Sequence, residues 1–563
     1  MKKKIAALLL SILILLTSCG TPAAGDSNSP ADPSVSPSSA PSADPSAAPS
    51  TDPSETPSTE PSVAPSTEPS VAPSAQPSET PSVPDDNDSC PTHIDADDNG
   101  LCDLCSTSVL VVVDFFGIND LHGKLPDGDG HPGVDELTTY LKDQRQTNDH
   151  VVLLSVGDMW QGTSESNLTE GNMITDWMNE MDFVAMAMGN HEFDWGEDPV
   201  RENADIAEFP FLAINIYERS TNQQVPYCQS SVMVECGDVQ IGIIGAIGDC
   251  YSSISSDKTE EIYFKTGSQL TALVKNESDL LRAQGADLIV YVLHDGFGSS
   301  RNGSISASSM KSYYDVSLSK GYVDLVFEGH THQRYVLRDE RGVYHIQGGG
   351  DNSGITHAEV QINSANGNHT VHTAETISTD TYASLQDDPL VEDLMEKYAD
   401  IISISSSVMG TNSKYRSGDA MRQLVADLYY EVGLERWGDE YDIALGGGFI
   451  SIRAPRHLAA GDVTYGMLQG LFPFDNQLVL CSVSGRKLRE KFFESTHYNY
   501  FISYGSYGSS IKNNLDPNGT YYIVVDSYTS TYAPNGLTEI ERYDPGVYAR
   551  DLLADYIRSG GLE

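Results

Sequence analysis

Short apolar runs alternate along this chain with stretches of helical period, and most of the apolar runs stop at a polar cluster. Residues 109–116, 151–156, 183–188, 239–247, 287–293 and 323–327 have the length and side-chain content of buried strands. Between them, residues 133–144, 172–181 and 268–284 read as helices. This alternation predicts a layered α/β domain with βαβ wiring. Residues 387–402 turn helical again, with Pro389 in the first turn, and mark a junction. Beyond it lie a helical stretch at 418–432, the cluster Gly446-Gly447-Gly448 and strand-like runs at 478–483 and 521–526. They predict a second, smaller α/β domain.

Open α/β sheets place their sites where strands end. Five of the runs end in Asp, Asn or His. Asp120 and His122 sit one residue apart, so in extended chain both can face one ion. Asp158 adds a carboxylate able to bridge two cations, and Asn190 an amide oxygen. His294, His330 and His332 add imidazoles. Singly, such residues are usually turn, cap or hydrogen-bonded structural positions. Together they form a mixed nitrogen and oxygen donor set, which suits zinc, manganese or iron more than calcium. The stretch Gly189-Asn190-His191-Glu192-Phe193-Asp194 is its centre. Glu192 and Phe193 carry no assigned chemistry.

Asp120-Leu121-His122, Gly157-Asp158, Gly189-Asn190-His191-Glu192, Leu293-His294 and Gly329-His330-Thr331-His332 resemble, in order, the signature of calcineurin-like metallophosphoesterases. Asn119-Asp120-Leu121-His122-Gly123, Gly157-Asp158-Met159-Trp160-Gln161-Gly162 and Asn190-His191-Glu192-Phe193-Asp194 narrow the resemblance to the 5′-nucleotidase family, over about residues 109–563. It implies two divalent ions: Asp120, His122, Asp158 and His332 would hold one, and Asp158, Asn190, His294 and His330 the other. It implies that His191 is the catalytic side chain and Asp194 its orienting partner. It implies phosphate-binding Arg416 and Arg453, the loop carrying Phe474 and Asn476 for the base, and a second aromatic at Tyr528, with Tyr532 the alternative. By itself Phe474 reads as a core residue. Two departures stand out: no Asn precedes the glycine cluster, and residues 528–536 lack the usual Gly-Gly-Asp run, leaving Asn535 nearest the ribose position.

The N-terminus changes the picture of location. Met1-Lys2-Lys3-Lys4, an apolar stretch at 5–16 and Leu16-Thr17-Ser18-Cys19 resemble a bacterial lipoprotein signal, with Cys19 as the lipid attachment site. Residues 20–88 are Pro, Ser, Ala, Thr and acids, with proline at every fourth position from Pro33 to Pro81. Such a segment has little to bury and reads as an extended spacer. Residues 89–107 follow as a connector. There Cys90, His93, Cys102 and Cys105 fit a four-ligand metal site or, outside the cytoplasm, disulfides. Cys228 and Cys236 flank a short alternating stretch and could bridge a hairpin.

The chain therefore divides into a signal with lipid site (1–19), spacer (20–88), connector (89–107), metallophosphoesterase domain (108–385), linker helix (386–406) and substrate-binding domain (407–563). A formal net charge of −48 over 563 residues excludes a nucleic-acid polymer as partner. No protein partner is expected. The expected reaction is hydrolysis of nucleoside 5′-monophosphates by a membrane-anchored, extracytoplasmic enzyme. The alternatives are a 2′,3′-cyclic nucleotide phosphodiesterase, a nucleotide-sugar or dinucleotide hydrolase on the same metal site, and a non-catalytic surface binding protein.

Overall fold

The strand Leu110–Ile118 shows how the first domain is layered. Its side chains alternate, so Phe115 enters one core and Phe116 the core on the opposite face. The computed structural model describes residues 90, 92–127, 132–297, 322–339, 341–453, 455–494, 500–531, 536–543 and 547–563. Cys19, the spacer, Tyr532 and Asn535 lie outside these residues.

Two six-stranded sheets face each other. In the first, Leu110–Ile118, Val151–Ser155, Ala185–Ala187 and Phe211–Leu212 run parallel. The antiparallel pair Gly354–Asn363 and His369–Ser378 extends its other edge. In the second, Val239–Ile247, Leu288–His294, Leu325–Glu328 and Tyr344–Gly348 run parallel, with Ser231–Cys236 and Arg334–Arg338 antiparallel at the edges. Val113, Phe115, Leu154, Ile241, Val290 and Phe327 fill the space between the sheets. Helices Asp135–Thr147 and Asn172–Glu180 bury Leu137, Leu141 and Trp177 on the outer face of the first sheet. Helix Ser268–Ala283 covers the second through Val274 and Leu281.

The linker forms helices Pro389–Lys397 and Ala399–Ile402, and Asp388 caps the first by accepting from the Leu390 amide. The second domain is a five-stranded sheet in the order Phe501–Ser503, Ile443–Gly448, Thr520–Asp526, Leu478–Ser484, Thr538–Arg542. Helix Gly418–Trp437 lies against it so closely that a Cβ at Gly446 would collide with the Tyr430 backbone. The glycine cluster is thus partly a packing requirement. Among the described residues no helix is long and apolar enough to cross a membrane.

The expected Cys228–Cys236 bridge is absent. Both are free thiols buried in different cores, Cys228 in the one under the helices and Cys236 in the one between the sheets. The hairpin from Ser231 closes through backbone pairing alone.

A pH-dependent cross-link spans the first sheet. His357 stacks on Phe116 with ring centroids 4.6 Å apart and bonds Asp114 at 2.8 Å and Glu375 at 3.2 Å. Burial opposes its charge, yet the two carboxylates raise its pKa above the usual 6.5. A raised folded value means the contribution is complete below 6.5 and is lost as pH climbs through the folded value. The loss of melting temperature in His357→Gln should therefore be widest in mildly acidic buffer, with Asp114 still ionised, and should shrink in alkaline buffer. Thermal melts of both proteins across pH measure it.

Candidate metal centre and substrate site

The polar clusters meet at the carboxyl ends of strands from both sheets. Leu110–Ile118 delivers Asp120 and His122, Val151–Ser155 delivers Asp158, and Ala185–Ala187 delivers Asn190 and His191. Across the sandwich, Leu288–His294 ends in His294, and Leu325–Glu328 leads into His330 and His332. Asp120, His122, Asp158, Asn190 and His294 are almost fully buried. Asp120, His122, Asp158, His330 and His332 all have left-handed backbone, with φ between 51° and 70°. Such φ is uncommon outside glycine and clusters at functional sites.

The donor atoms converge. His332 Nε2 lies 3.3 Å from Asp120 Oδ1 and 3.1 Å from His122 Nε2. His294 Nε2 lies 3.1 Å from Asp158 Oδ2 without forming a hydrogen bond. Asn190 Oδ1 is buried and has no hydrogen-bond partner. An orphaned buried oxygen beside facing imidazoles and carboxylates is what a cation would satisfy. Outer bonds fix the tautomers: His122 Nδ1 donates to the Gln161 carbonyl at 2.8 Å and His294 Nδ1 to the Val156 carbonyl at 2.6 Å. Each Nε2 is left for a ligand role.

The charge balance agrees. Burial opposes the charge of Asp158, but His294, His191 and His122 hold its pKa well below the usual carboxylate range. Burial keeps His122 neutral, reinforced by Arg453, and lowers His330 to about 4. Burial also disfavours charge on His294, yet Asp158, Asp120 and Glu192 raise it to about 10. A divalent cation would replace that proton and neutralise the carboxylates. The residues fit two such ions, with Asp158 between the two groups.

Several positioning residues had no role assigned from the sequence. Glu192, fully buried, accepts from the amides of Asp158 and Met159 at 2.8 Å and Gly189 at 2.7 Å, tying two strand ends together. Burial raises its pKa to about 7. Asn119 donates to Asp120 Oδ2 at 2.7 Å. Gln347 accepts from Thr331 Oγ1 and the Gln333 amide and donates to the Gly329 carbonyl, clamping the His330–His332 loop. Cys250, beyond Val239–Ile247, donates its thiol to the His294 carbonyl and lies close to His294 and His330. Its position after an apolar run was the available signal.

Gly189 is needed for contact. A Cβ there would sit 2.5 Å from the Asp158 amide nitrogen and collide with the Asp158 and Glu192 carboxylates. Gly189→Ala should cost about 1–3 kcal/mol of stability and reduce metal occupancy. Denaturant unfolding and metal analysis of the purified variant check both.

His191 faces the second domain. Its Nδ1 donates to Asp194 Oδ2 at 2.7 Å, its amide donates to Asp158 Oδ1 at 2.8 Å, and its Nε2 accepts from Arg453 Nη2 at 2.7 Å. Arg453 also stands 5.6 Å from the Phe474 ring centroid. A cavity of about 300 Å³ opens beside it, lined by His122, His332, Lys124, Asp351, Arg453 and Arg456. A smaller one of about 50 Å³ is lined by Asp194, Phe474, Asn476 and Tyr528. Phe449, 6.1 Å from the Tyr528 ring, adds an aromatic that sequence reasoning did not single out. Arg416 is not brought to these cavities. Its Nε donates to Asn412, and its backbone pairs with Leu458. Arg456 lies beside Arg453 in the larger cavity instead.

Comparison with known proteins agrees with this geometry. Residues 114–334 match the calcineurin-like phosphoesterase family, and residues 402–536 match the 5′-nucleotidase C-terminal domain. The chain belongs to the calcineurin-like phosphoesterases that carry a 5′-nucleotidase C-terminal domain. It is a phosphoester hydrolase of that family. Among its relatives, Protein UshA of Yersinia enterocolitica is 24% identical over 79% of this chain and 88% of its own. A 5′-nucleotidase of Vibrio parahaemolyticus is 28% identical over 38% of this chain and 39% of its own. The solved structure of a 5′-nucleotidase precursor from Thermus thermophilus shares the two-domain fold. It has a TM-score of 0.61 and 19% identity, covering 80% of this chain and 96% of that one.

Proposed function

We propose that this enzyme hydrolyses nucleoside 5′-monophosphates to nucleoside and phosphate. The observation that carries the reading is the reach of Arg453 from the second domain to His191 Nε2, with Phe474 beside both. It joins a phosphate-type cation, a catalytic-type imidazole and an aromatic face at one point.

Asp120, His122, Asp158 and His332 would hold one divalent ion, and Asp158, Asn190, His294 and His330 the other. Zinc, manganese and iron all suit these donors. When bound, the pair supplies charge neutralisation at the phosphoryl oxygens and a water of lowered pKa. The chain's own residues do the rest. Arg453 offers the phosphate a planar fork of donors. Lys124 and Arg456 add positive charge from the cavity wall. Once the substrate phosphate takes up the Arg453 donor, His191, oriented by Asp194, is free to carry a proton on Nε2 to the leaving oxygen. Phe474 and Tyr528 line the pocket for the base, and Asn476 offers it a polar contact.

The test is hydrolysis of AMP, UDP-glucose and 2′,3′-cyclic AMP with manganese or zinc added, read as phosphate released from AMP and, by chromatography, as the monoesters that the other two yield. Turnover should be fastest on AMP, and Phe474→Ala should raise KM for AMP while leaving p-nitrophenyl phosphate unaffected. Inactivity on AMP by the metal-loaded enzyme would overturn the reading. We further propose that the enzyme works outside the cytoplasm, held to a membrane by lipid on Cys19. Metabolic labelling with a fatty-acid probe, lost in Cys19→Ala, tests this.

A further inference from the structure

Among its described residues, the connector ahead of the first domain has no apolar core. Its large hydrophobic residues Ile94, Leu101 and Leu104 are 46%, 47% and 65% exposed. It is nonetheless folded. Cys102 is buried, its amide donates to the Thr107 carbonyl, and the Asp103 amide donates to the Ile94 carbonyl. The Asp95 carboxylate accepts from the Asn99 and Gly100 amides and from Asn363 of the first sheet's edge hairpin, at 2.7–3.0 Å. Segments this small hold a shape only with a cross-link.

The cross-link is at hand. Cys90, His93, Cys102 and Cys105 point their donor atoms at one another, all within 4.8 Å. Cys90 Sγ and Cys102 Sγ are 3.8 Å apart, and Cys105 Sγ and His93 Nδ1 are 3.6 Å apart. Tetrahedral zinc sets edges of about 3.8 Å between sulfurs and about 3.5 Å between sulfur and imidazole nitrogen. A disulfide needs sulfurs about 2.05 Å apart. It would also leave one of the three thiols unpaired and His93 idle. The backbone of the second pair repeats the pattern of a metal knuckle. Amides of Leu104 and Cys105 face Cys102 Sγ, and that of Thr107 faces Cys105 Sγ, so these two sulfurs each meet an N–H two residues on.

We infer that residues 90–107 form a structural zinc knuckle, with Cys90, His93, Cys102 and Cys105 as its four ligands, separate from the catalytic centre. All four positions are filled by protein, so the site is closed and structural rather than catalytic. Through Asp95 and Asp98, which also accepts from Asn363 and Asn366, the knuckle grips the hairpin joining Gly354–Asn363 to His369–Ser378. It fixes the direction in which the chain enters the enzyme domain.

The experiment uses the full chain carrying Asp158→Asn, so that the catalytic centre is impaired, with and without Cys102→Ser plus Cys105→Ser. Zinc is counted after exhaustive dialysis, and cobalt is then exchanged in. The chain with intact cysteines should keep one zinc and, with cobalt, show a thiolate charge-transfer band and strong visible tetrahedral bands. The cysteine variant should lose that zinc and that band. Cobalt at the catalytic centre meets nitrogen and oxygen donors with one thiol, Cys250, close by, so the connector's band is the part lost with Cys102→Ser plus Cys105→Ser. Equal zinc content in both proteins, or a cobalt spectrum without thiolate character, would overturn the proposal. So would an intact mass two hydrogens light with no zinc bound, which means a disulfide.

Discussion

Asp158→Asn should leave an enzyme that folds but turns over at least about 10³-fold more slowly, with metal content sharply reduced. Losing an outer partner of a metal ligand already costs 10–100-fold, and Asp158 stands between both groups of donors. One of its oxygens faces His294 and the other accepts the His191 amide. Asparagine keeps the volume but removes the charge that balances two cations and turns an N–H₂ toward one neighbour. Elemental analysis and steady-state kinetics read the two effects together. Full metal occupancy with normal kcat would place the bridging role elsewhere.

His191→Ala should have the opposite profile: kcat down by about 10²–10⁴-fold, with both metals retained. The separation follows from the hydrogen bonds. Asp158 is held by the backbone amide of His191, which alanine preserves, whereas Asp194 and Arg453 are held by the ring. Asp194→Asn should reproduce part of the loss, because the amide no longer fixes the proton on Nδ1. Metal analysis beside single-turnover kinetics decides it. A variant that loses metal in proportion to activity would make His191 a structural residue.

The inner strands of both sheets were legible because they are largely buried on both faces and appear as mostly apolar runs. The run at 239–247 forms Val239–Ile247, and that at 287–293 forms Leu288–His294. The run at 183–188 shortens to Ala185–Ala187, since the chain enters and leaves this strand by tight turns at Asp182 and Asn190. The hairpin Gly354–Asn363 to His369–Ser378 was not legible. His369–Ser378 is a half-exposed edge of mostly polar residues, and its strand character comes from pairing. The candidate ligand residues announced themselves by type and position. Glu192 and Gln347 did not, because a carboxylate or amide that organises backbone N–H groups looks in sequence like any other polar residue. Arg416 shows the converse: the family resemblance implied a phosphate contact, and its helix-entry position ties it to Asn412.

The left-handed backbone under five of the seven candidate ligands also bears on how this centre can change over time. Asn, Asp and His tolerate that conformation better than other side chains with a Cβ, and all three are oxygen or nitrogen donors. A mutation to cysteine or glutamate at Asp120, His122, Asp158, His330 or His332 meets two obstacles, a changed donor and a backbone the newcomer resists. Exchange among Asn, Asp and His meets only one. The loops thus act as a filter on evolvability, steering substitutions toward a narrow range of ligand sets and keeping the centre away from thiolate chemistry even with Cys250 close by.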